Sequence, residues 1–146
     1  MRALIQRVNR ACARVSGSER AIGRGAVILL AVGAGDDEAA ARRLAGKCAS
    51  LRIFPNEQGK FDLSLLDVGG EALVVSQFTL YGDCRRGRRP DFTQAMAPER
   101  AEPLYRAFVE ALRSAGIAVK TGEFGAKMEV ELVNDGPVTL WLDTRA

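Results

Sequence analysis

The residues best suited to chemistry fall in three short segments. The first is Ser76-Gln77-Phe78-Thr79-Leu80-Tyr81, where hydroxyl and carboxamide side chains end an apolar run. Polar groups at the end of a buried strand must find hydrogen-bond partners or cost free energy. Ser76 and Thr79 can face backbone groups while Gln77 caps the strand, or all three can be held toward a substrate. The second segment, Asn134-Asp135-Gly136-Pro137-Val138-Thr139, is rich in turn formers and by itself reads as a hairpin turn. Its Gly-Pro bond permits either isomer, cis being the rarer. The third is basic: Arg85, Arg86, Arg88 and Arg89 fall within five residues. They form either a solvated loop or a surface for phosphates, whose contacts are independent of sequence and sensitive to salt.

What the chain lacks narrows the chemistry open to these groups. Its 146 residues include no histidine, which removes Ser-His-Asp triads, Cys-His dyads and almost every imidazole-based metal site. Cys12, Cys48 and Cys84 form no C-x-x-C pair, so neither a disulfide framework nor a zinc site is expected. Cys48 falls at helical spacing from Leu44 and Leu51 and reads as a small buried hydrophobe. Catalysis must then draw on hydroxyls, carboxylates, lysine, backbone amides or the substrate itself. No metal and no cofactor is expected. The net charge of +3 and pI of about 9.0 fit an anionic partner without naming one. No apolar run reaches membrane-spanning length, and the N-terminal residues lack the pattern of a signal peptide, so the expectation is a soluble cytoplasmic protein.

The elements that must position these segments follow from periodicity. Ala3–Val8 and Ala11–Val15 read as strands joined by an Asn9-Arg10 turn. Ala26–Val32 is a continuous apolar run bounded by glycines, as a central strand would be. Asp36-Asp37-Glu38 starts a helix with its inner face at Leu44, Cys48 and Leu51. Arg52–Phe54 is a short strand before turn residues 55–59, and Leu63–Leu66 is ambiguous. Ala72–Phe78 is a second buried strand, and Gly82–Asp91 is a loop. Pro98 opens a second helix, with Leu104, Phe108 and Leu112 on one face and Gly116 closing it. Ile117–Thr121, Met128–Val133 and Val138–Asp143 are the remaining strands. Met128, Val130 and Leu132 alternate with Glu129 and Glu131, the pattern of a strand buried on one side. About eight strands and two helices predict one mixed α/β domain over residues 1–146 with a curved sheet.

Taken together, Ser76-Gln77-Phe78-Thr79-Leu80 and Asn134-Asp135-Gly136-Pro137-Val138-Thr139 resemble the two signatures of the D-aminoacyl-tRNA deacylases, first described as D-tyrosyl-tRNA deacylases. The resemblance spans nearly the whole chain. It takes in Ile5-Gln6-Arg7-Val8, Arg52-Ile53-Phe54, Gly87 with Arg89-Pro90, and Thr121-Gly122 with Phe124-Gly125 before Met128. It implies a partly barrel-like mixed sheet and a hydrolase of chiral proofreading in translation quality control, acting on tRNA as a homodimer with its active sites at the interface. Ser76, Gln77, Phe78 and Thr79 would line the ester pocket, with the Phe78 and Thr79 amides as candidate oxyanion donors. Gly136-Pro137 would be cis and would reach into the partner's pocket, where its carbonyls reject an L side chain by clash. Glycyl-tRNA, with no side chain to reject, would then be hydrolysed as well.

Asn134 and Thr139 would support that motif. Arg7 would anchor it through carbonyl hydrogen bonds, or be an exposed charge on an edge strand. Arg86, Arg88, Arg89, Phe124 and Met128 are the candidate tRNA contacts. Asp91 stands where a serine is common in the family. The main alternative is a non-catalytic tRNA- or nucleic-acid-binding module, in which the basic loop binds without turnover. A related L-alanine-editing group shares the Gly-Pro element but lacks Ser-Gln-Phe-Thr-Leu. A general serine or threonine esterase would need the missing histidine.

Overall fold

Burial along residues 2–15 alternates between inward and outward side chains, as in a strand with one covered face, and the alternation slips once, at residues 7–10. In the computed structural model, which describes residues 1–146, this segment is a single strand, β1 (Arg2–Val15). It is followed by β2 (Ser18–Ile22), β3 (Gly25–Ala31), α1 (Glu38–Ser50), β4 (Phe54–Pro55), β5 (Phe61–Leu63) and β6 (Glu71–Ser76). A 3-10 turn (Phe78–Tyr81), α2 (Pro98–Ser114), β7 (Ala118–Thr121) and β8 (Glu129–Asp143) complete the chain. The main sheet runs β2-β1-β3-β6-β7, with β8 on β1, and the β3–β6 and β6–β7 pairs are parallel. β4 and β5 form a separate small hairpin.

Both helices have clear ends. The Asp37 carboxylate accepts the Ala40 amide at 2.8 Å and so caps α1. α2 starts with Pro98 in its first turn and stops at Gly116, where φ is +100°. The Gly116 and Ile117 amides return to the Arg113 and Leu112 carbonyls, satisfying the last turn. Phe108 and Leu112 are buried against the sheet with Leu44 and Cys48. Leu104 and Leu51 are only partly covered, Leu51 because it already sits at the C-cap. The opposite face is a smaller core of Val27, Leu73 and Val75, closed over by Ala11 and Ala13 of β1 and Ile22 of β2. The sheet therefore curls on itself into the nearly closed, barrel-like mixed α/β architecture.

Several boundaries differ from the expectations, for identifiable reasons. Asn9-Arg10 is not a turn. Pairing with β8 slips between Val8 and Arg10, so a bulge pushes both polar residues outward while the strand continues. The reversal comes later, at Ser16-Gly17, where φ is +45° and +80°, and it starts the unanticipated β2. Asn134–Val138 is not a hairpin turn either. Asn134 pairs with Val8 and Thr139 with Gln6, so the chain stays on β1 without reversing and extrudes the residues between as a wide bulge. The two strands expected there are one, β8. The Ala72–Phe78 strand ends at Ser76, because the chain turns into the 3-10 segment. The Arg52–Phe54 strand is displaced to Phe54–Pro55, and Leu63 ends β5 before a Ser64–Asp67 turn. Eight strands are present as expected, but two expected splits are continuous, and β2 and β5 make up the number. Val130 is 36% exposed, so the alternation in β8 does not mark a covered face at that position.

Candidate active site

The 3-10 turn after β6 is held from below. The Gln77 amide donates to the Leu30 carbonyl of β3 at 2.8 Å, extending the parallel ladder one residue past Ser76. The Leu80 amide returns to the Gln77 carbonyl at 3.2 Å, which makes Gln77 the entry residue of the turn. The amides of Phe78 and Thr79 open the turn and have no acceptor within it, as at any helical N-terminus. Tyr81 is buried against Gly33 so closely that a Cβ there would lie 2.4 Å from the phenolic oxygen. Glycine is the residue that fits. Arg2 donates to the Leu80 carbonyl at 3.0 Å and lies 4.3 Å from the centre of the Tyr81 ring.

Beside this turn lies a cavity of about 700 Å³ with mostly apolar walls. Ser76, Gln77 and Phe78 line it together with Phe92, Tyr105, Phe124 and Met128. Phe78 is 57% exposed at the rim, its ring edge-on to Phe92 at 5.1 Å. Thr79 is on the outer side of the turn, its Oγ1 accepting from the Gln77 carboxamide. The one titratable group in the wall is Tyr105. Its hydroxyl donates to the Val74 carbonyl at 2.9 Å, and burial pushes its pKa up to about 12. Tyr81 is likewise pushed up to about 12, by burial and then by the nearby Asp36 carboxylate. No three His, Cys, Asp or Glu side chains converge anywhere in the chain. The cavity therefore offers oriented amides, hydroxyls and a carboxamide, but no base that titrates near neutral pH.

The second group of candidates lies elsewhere. Asn134 donates its carboxamide to the Arg7 carbonyl at 2.9 Å and to the Val138 carbonyl at 3.1 Å, closing the neck of the extruded loop. Thr139 adds a bond to Asn134 and accepts one from Gln6. The Gly136-Pro137 peptide is cis and both residues are exposed. Arg7, only 6% exposed, is not a surface charge. It does not bond the Gly136 or Pro137 carbonyls: its Nη1 donates to the Ile53 carbonyl at 2.6 Å, and its Nε lies 2.9 Å from Asp135 Oδ2. The Nε–H does not point at that carboxylate, so the pair is ionic and the nitrogen has no hydrogen-bond partner. Its guanidinium also lies 5.6 Å from the Phe61 ring centre, which stands exposed on β5.

Ser76 is level with Leu30, Ala3 and Leu142, whereas the loop is level with Gln6–Val8, three strands across. With a rise near 3.3 Å and a strand spacing near 4.8 Å, the two groups stand on the order of 20 Å apart along the sheet. None of residues 134–139 lines the cavity. The fold thus gathers Ser76, Gln77, Phe78, Phe124 and Met128 and leaves Arg7, Asn134, Gly136, Pro137 and Thr139 as a separate cluster. Arg86 and Arg89 line another, polar cavity, and Arg88 lines neither. Sequence reading missed Phe92, Tyr105, Val130 and Asp135. Tyr105 was findable, since Ala101, Tyr105, Phe108 and Leu112 also fall on one helical face. Phe92 carried no local signal, because a loop residue gains its role only through the chain's return.

Residues 4–143 match the family described as D-Tyr-tRNA(Tyr) deacylase. A protein of Roseiflexus castenholzii named D-aminoacyl-tRNA deacylase is 61% identical over 99% of this chain and 92% of its own length. One of the same name from Heliobacterium modesticaldum is 60% identical over 99% and 97%. A solved structure described as "c-Myc DNA Unwinding Element Binding Protein" superposes with a TM-score of 0.94 at 42% identity, covering 100% of both chains. Another, described as a probable eukaryotic D-amino acid tRNA deacylase, gives 0.86 at 21% identity over 97% of both and shares the fold.

Proposed function

The chain belongs to the D-Tyr-tRNA(Tyr) deacylase family, and on that premise we propose that it hydrolyses the ester of D-aminoacyl-tRNA to free D-amino acid and tRNA. It is an enzyme, a hydrolase acting on aminoacyl-tRNA. The observation that carries the mechanism is a 3-10 turn whose opening amides, Phe78 and Thr79, have no acceptor within it, beside a cavity that Phe78 lines and that has no neutral-range base. A water oxygen bonds to the ester carbonyl carbon, and the resulting oxyanion is met by those amides. The carbon–oxygen bond to the terminal ribose then breaks, and the leaving ribose oxygen takes up the proton that the attacking water loses. The neighbouring ribose hydroxyl assists the water, so the protein supplies orientation and charge stabilisation. One such amide donor contributes roughly 2.7–4 kcal/mol in other acyl-transfer enzymes. Thr79 has no positioned base and is not assigned a covalent role. Ser76 and Gln77 shape the pocket, and Phe124 and Met128 receive the end of the tRNA.

The active enzyme is a homodimer in this reading, with each pocket completed by the Gly136-Pro137 element of the other copy. Support comes from the lining of the cavity beside the turn, to which residues 134–139 contribute nothing, so the Gly136-Pro137 element has no part in the pocket of its own chain. It comes also from an open apolar row beside the loop, where Leu4 pairs with both Leu29 and Trp141, the last 49% exposed. The loop carbonyls face the substrate α-carbon and exclude an L side chain, a selectivity built on clash rather than recognition. Glycyl-tRNA follows as a second substrate. Arg86, Arg88 and Arg89 contact tRNA phosphates. No helix of the chain is long and apolar enough to cross a membrane, and tRNA as substrate assigns the enzyme to the cytoplasm.

The test follows ester loss from D-tyrosyl-, L-tyrosyl- and glycyl-tRNA. Rapid loss of the D and glycyl esters with the L ester intact is the expected result. Equal decay of all three at the protein-free rate would overturn the enzyme reading in favour of the binding module. The structural neighbour named for a DNA element gives that second reading its one specific support.

A further inference from the structure

Residues 83–91 form a small hairpin whose base is closed in both directions, the Asp83 and Asp91 amides each donating to the other's carbonyl at 2.8 and 3.0 Å. Its two carboxylates are already engaged. Asp83 binds the Arg85 guanidinium, with Nη2 at 2.6 Å, and this contact with the Arg85 amide holds the carboxyl down at about 2. Asp91 accepts from the Thr93 amide and hydroxyl at 2.8 and 2.6 Å. Arg85 is thus neutralised within the hairpin, whereas Arg86, Arg88 and Arg89 make no ion pair and no side-chain hydrogen bond.

A cavity of about 710 Å³ opens here, with no apolar residue in its wall. Arg86, Arg89 and Gln94 contribute its uncommitted donors, and Arg88 takes no part in its wall. Across the segment 91–95 the two cavities stand back to back. Asp91, Thr93 and Gln94 face the polar one; Phe92 and Ala95 face the apolar one beside the catalytic turn. The segment is pinned in place, since the Ala34 amide donates to the Gln94 carbonyl at 2.9 Å and the Met96 amide to the Val32 carbonyl at 3.0 Å. A strand that bound its terminal nucleoside in the apolar cavity would cross this one wall to reach Arg86 and Arg89.

We infer that the polar cavity is a phosphodiester site for the nucleotides just before the terminal adenosine, served by Arg86, Arg89 and Gln94 and not by Arg88. This rests on the deacylase reading and divides the arginines that reading treats alike. The site fixes the register of the strand, so that the ester arrives at the Phe78 and Thr79 amides. Phosphate contacts position a nucleic acid without reading its sequence.

The experiment compares D-tyrosyl-tRNA with D-tyrosyl-adenosine, which has no phosphate, in the full-length enzyme. The preference for tRNA, as a ratio of kcat/KM values, is expected to fall about 10- to 100-fold in R86A/R89A, mostly through KM. It should fall less than about threefold in R88A, and the salt slope of trinucleotide binding should drop by about 1.4 in the double variant if two single-strand phosphate contacts are lost. An equal loss in R88A and R86A/R89A, or equal impairment on D-tyrosyl-adenosine, overturns the site. Binding of an unacylated trinucleotide ending in adenosine needs no turnover. Weakened binding in R86A/R89A alone supports the site even if the deacylase reading fails, and unchanged binding sinks it.

Discussion

The turn at Gln77–Tyr81 and the loop at Asn134–Val138 both interrupt regular strands, but they are secured in opposite ways. The turn follows a central parallel strand and is braced from several sides, by the Leu30 carbonyl, by Tyr81 against Gly33 and by Arg2. The loop leaves β8, which has a paired neighbour only on β1, and hangs from two side chains, Asn134 and Arg7. One region is finished within the chain and bordered by a cavity; the other exposes its tip and lines neither of the two cavities described above. A rate-determining geometry suits the first. The second suits a contact that decides which substrate is refused.

That contrast can be broken by substitution. Phe78→Pro removes one turn-opening amide at a first-turn position that tolerates proline. It should lower kcat on D-tyrosyl-tRNA by about 10²–10³ while leaving the D-to-L ratio near its starting value. Phe78→Ala, which keeps the amide, controls for the lost ring, and an equal loss in both variants removes the amide from the mechanism. Arg7→Ala leaves the Ile53 carbonyl and the partly exposed Asp135 carboxylate without their partner, and should cost about 2 kcal/mol in urea unfolding. A negligible cost would mean that Asn134 alone holds the loop.

Gly136→Ala tests the loop tip. Its φ of +116° is strained for alanine, and the new Cβ would lie 2.9 Å from both Arg7 Nη2 and Val138 Cγ2. A cost of about 1–3 kcal/mol is expected, with the D-to-L ratio falling more than the rate on the D ester. A uniform drop on both esters would erase the division of labour. The smallest effect is alkaline. Burial raises Cys48 from 9.0, and Tyr81 and Tyr105 from 10.0, each to about 12. Groups whose folded pKa is raised add stability that is complete below their unfolded values and lost as pH climbs through the folded ones. The melting temperature should therefore decline between pH 9 and 12, and Tyr105→Phe should flatten part of that decline.

Both regions were legible as chemistry before they were legible as structure. The polar run at 76–79 and the Asn-Asp-Gly-Pro run stand out by composition, and their joint resemblance to one family pointed to the activity. Their shapes did not follow from the same residues. Nothing local to Phe78 ends β6 at Ser76, and nothing in Asn134–Val138 reveals that both flanks pair with β1, because strand partners are set by residues far away in sequence. Helix limits were easier, since Asp37, Pro98 and Gly116 act on their immediate neighbours. Arg7 was undecidable from sequence, as its burial depends on Ile53, Phe61 and Asp135 arriving together.

The pairing of β1 with β8 joins Arg2 to Asp143 and continues to Arg14 and Glu129. On a ribosome adding roughly 5–20 residues per second, β1 emerges on the order of 10 s before its partner exists. Through that interval one edge of β1 has no partner strand, and the sheet cannot close. Contacts this distant along the chain also slow folding after release. The long seam that frames both motifs makes the newborn chain dependent on a strand that follows β1 by more than a hundred residues, and leaves it open to mispairing until that strand is made.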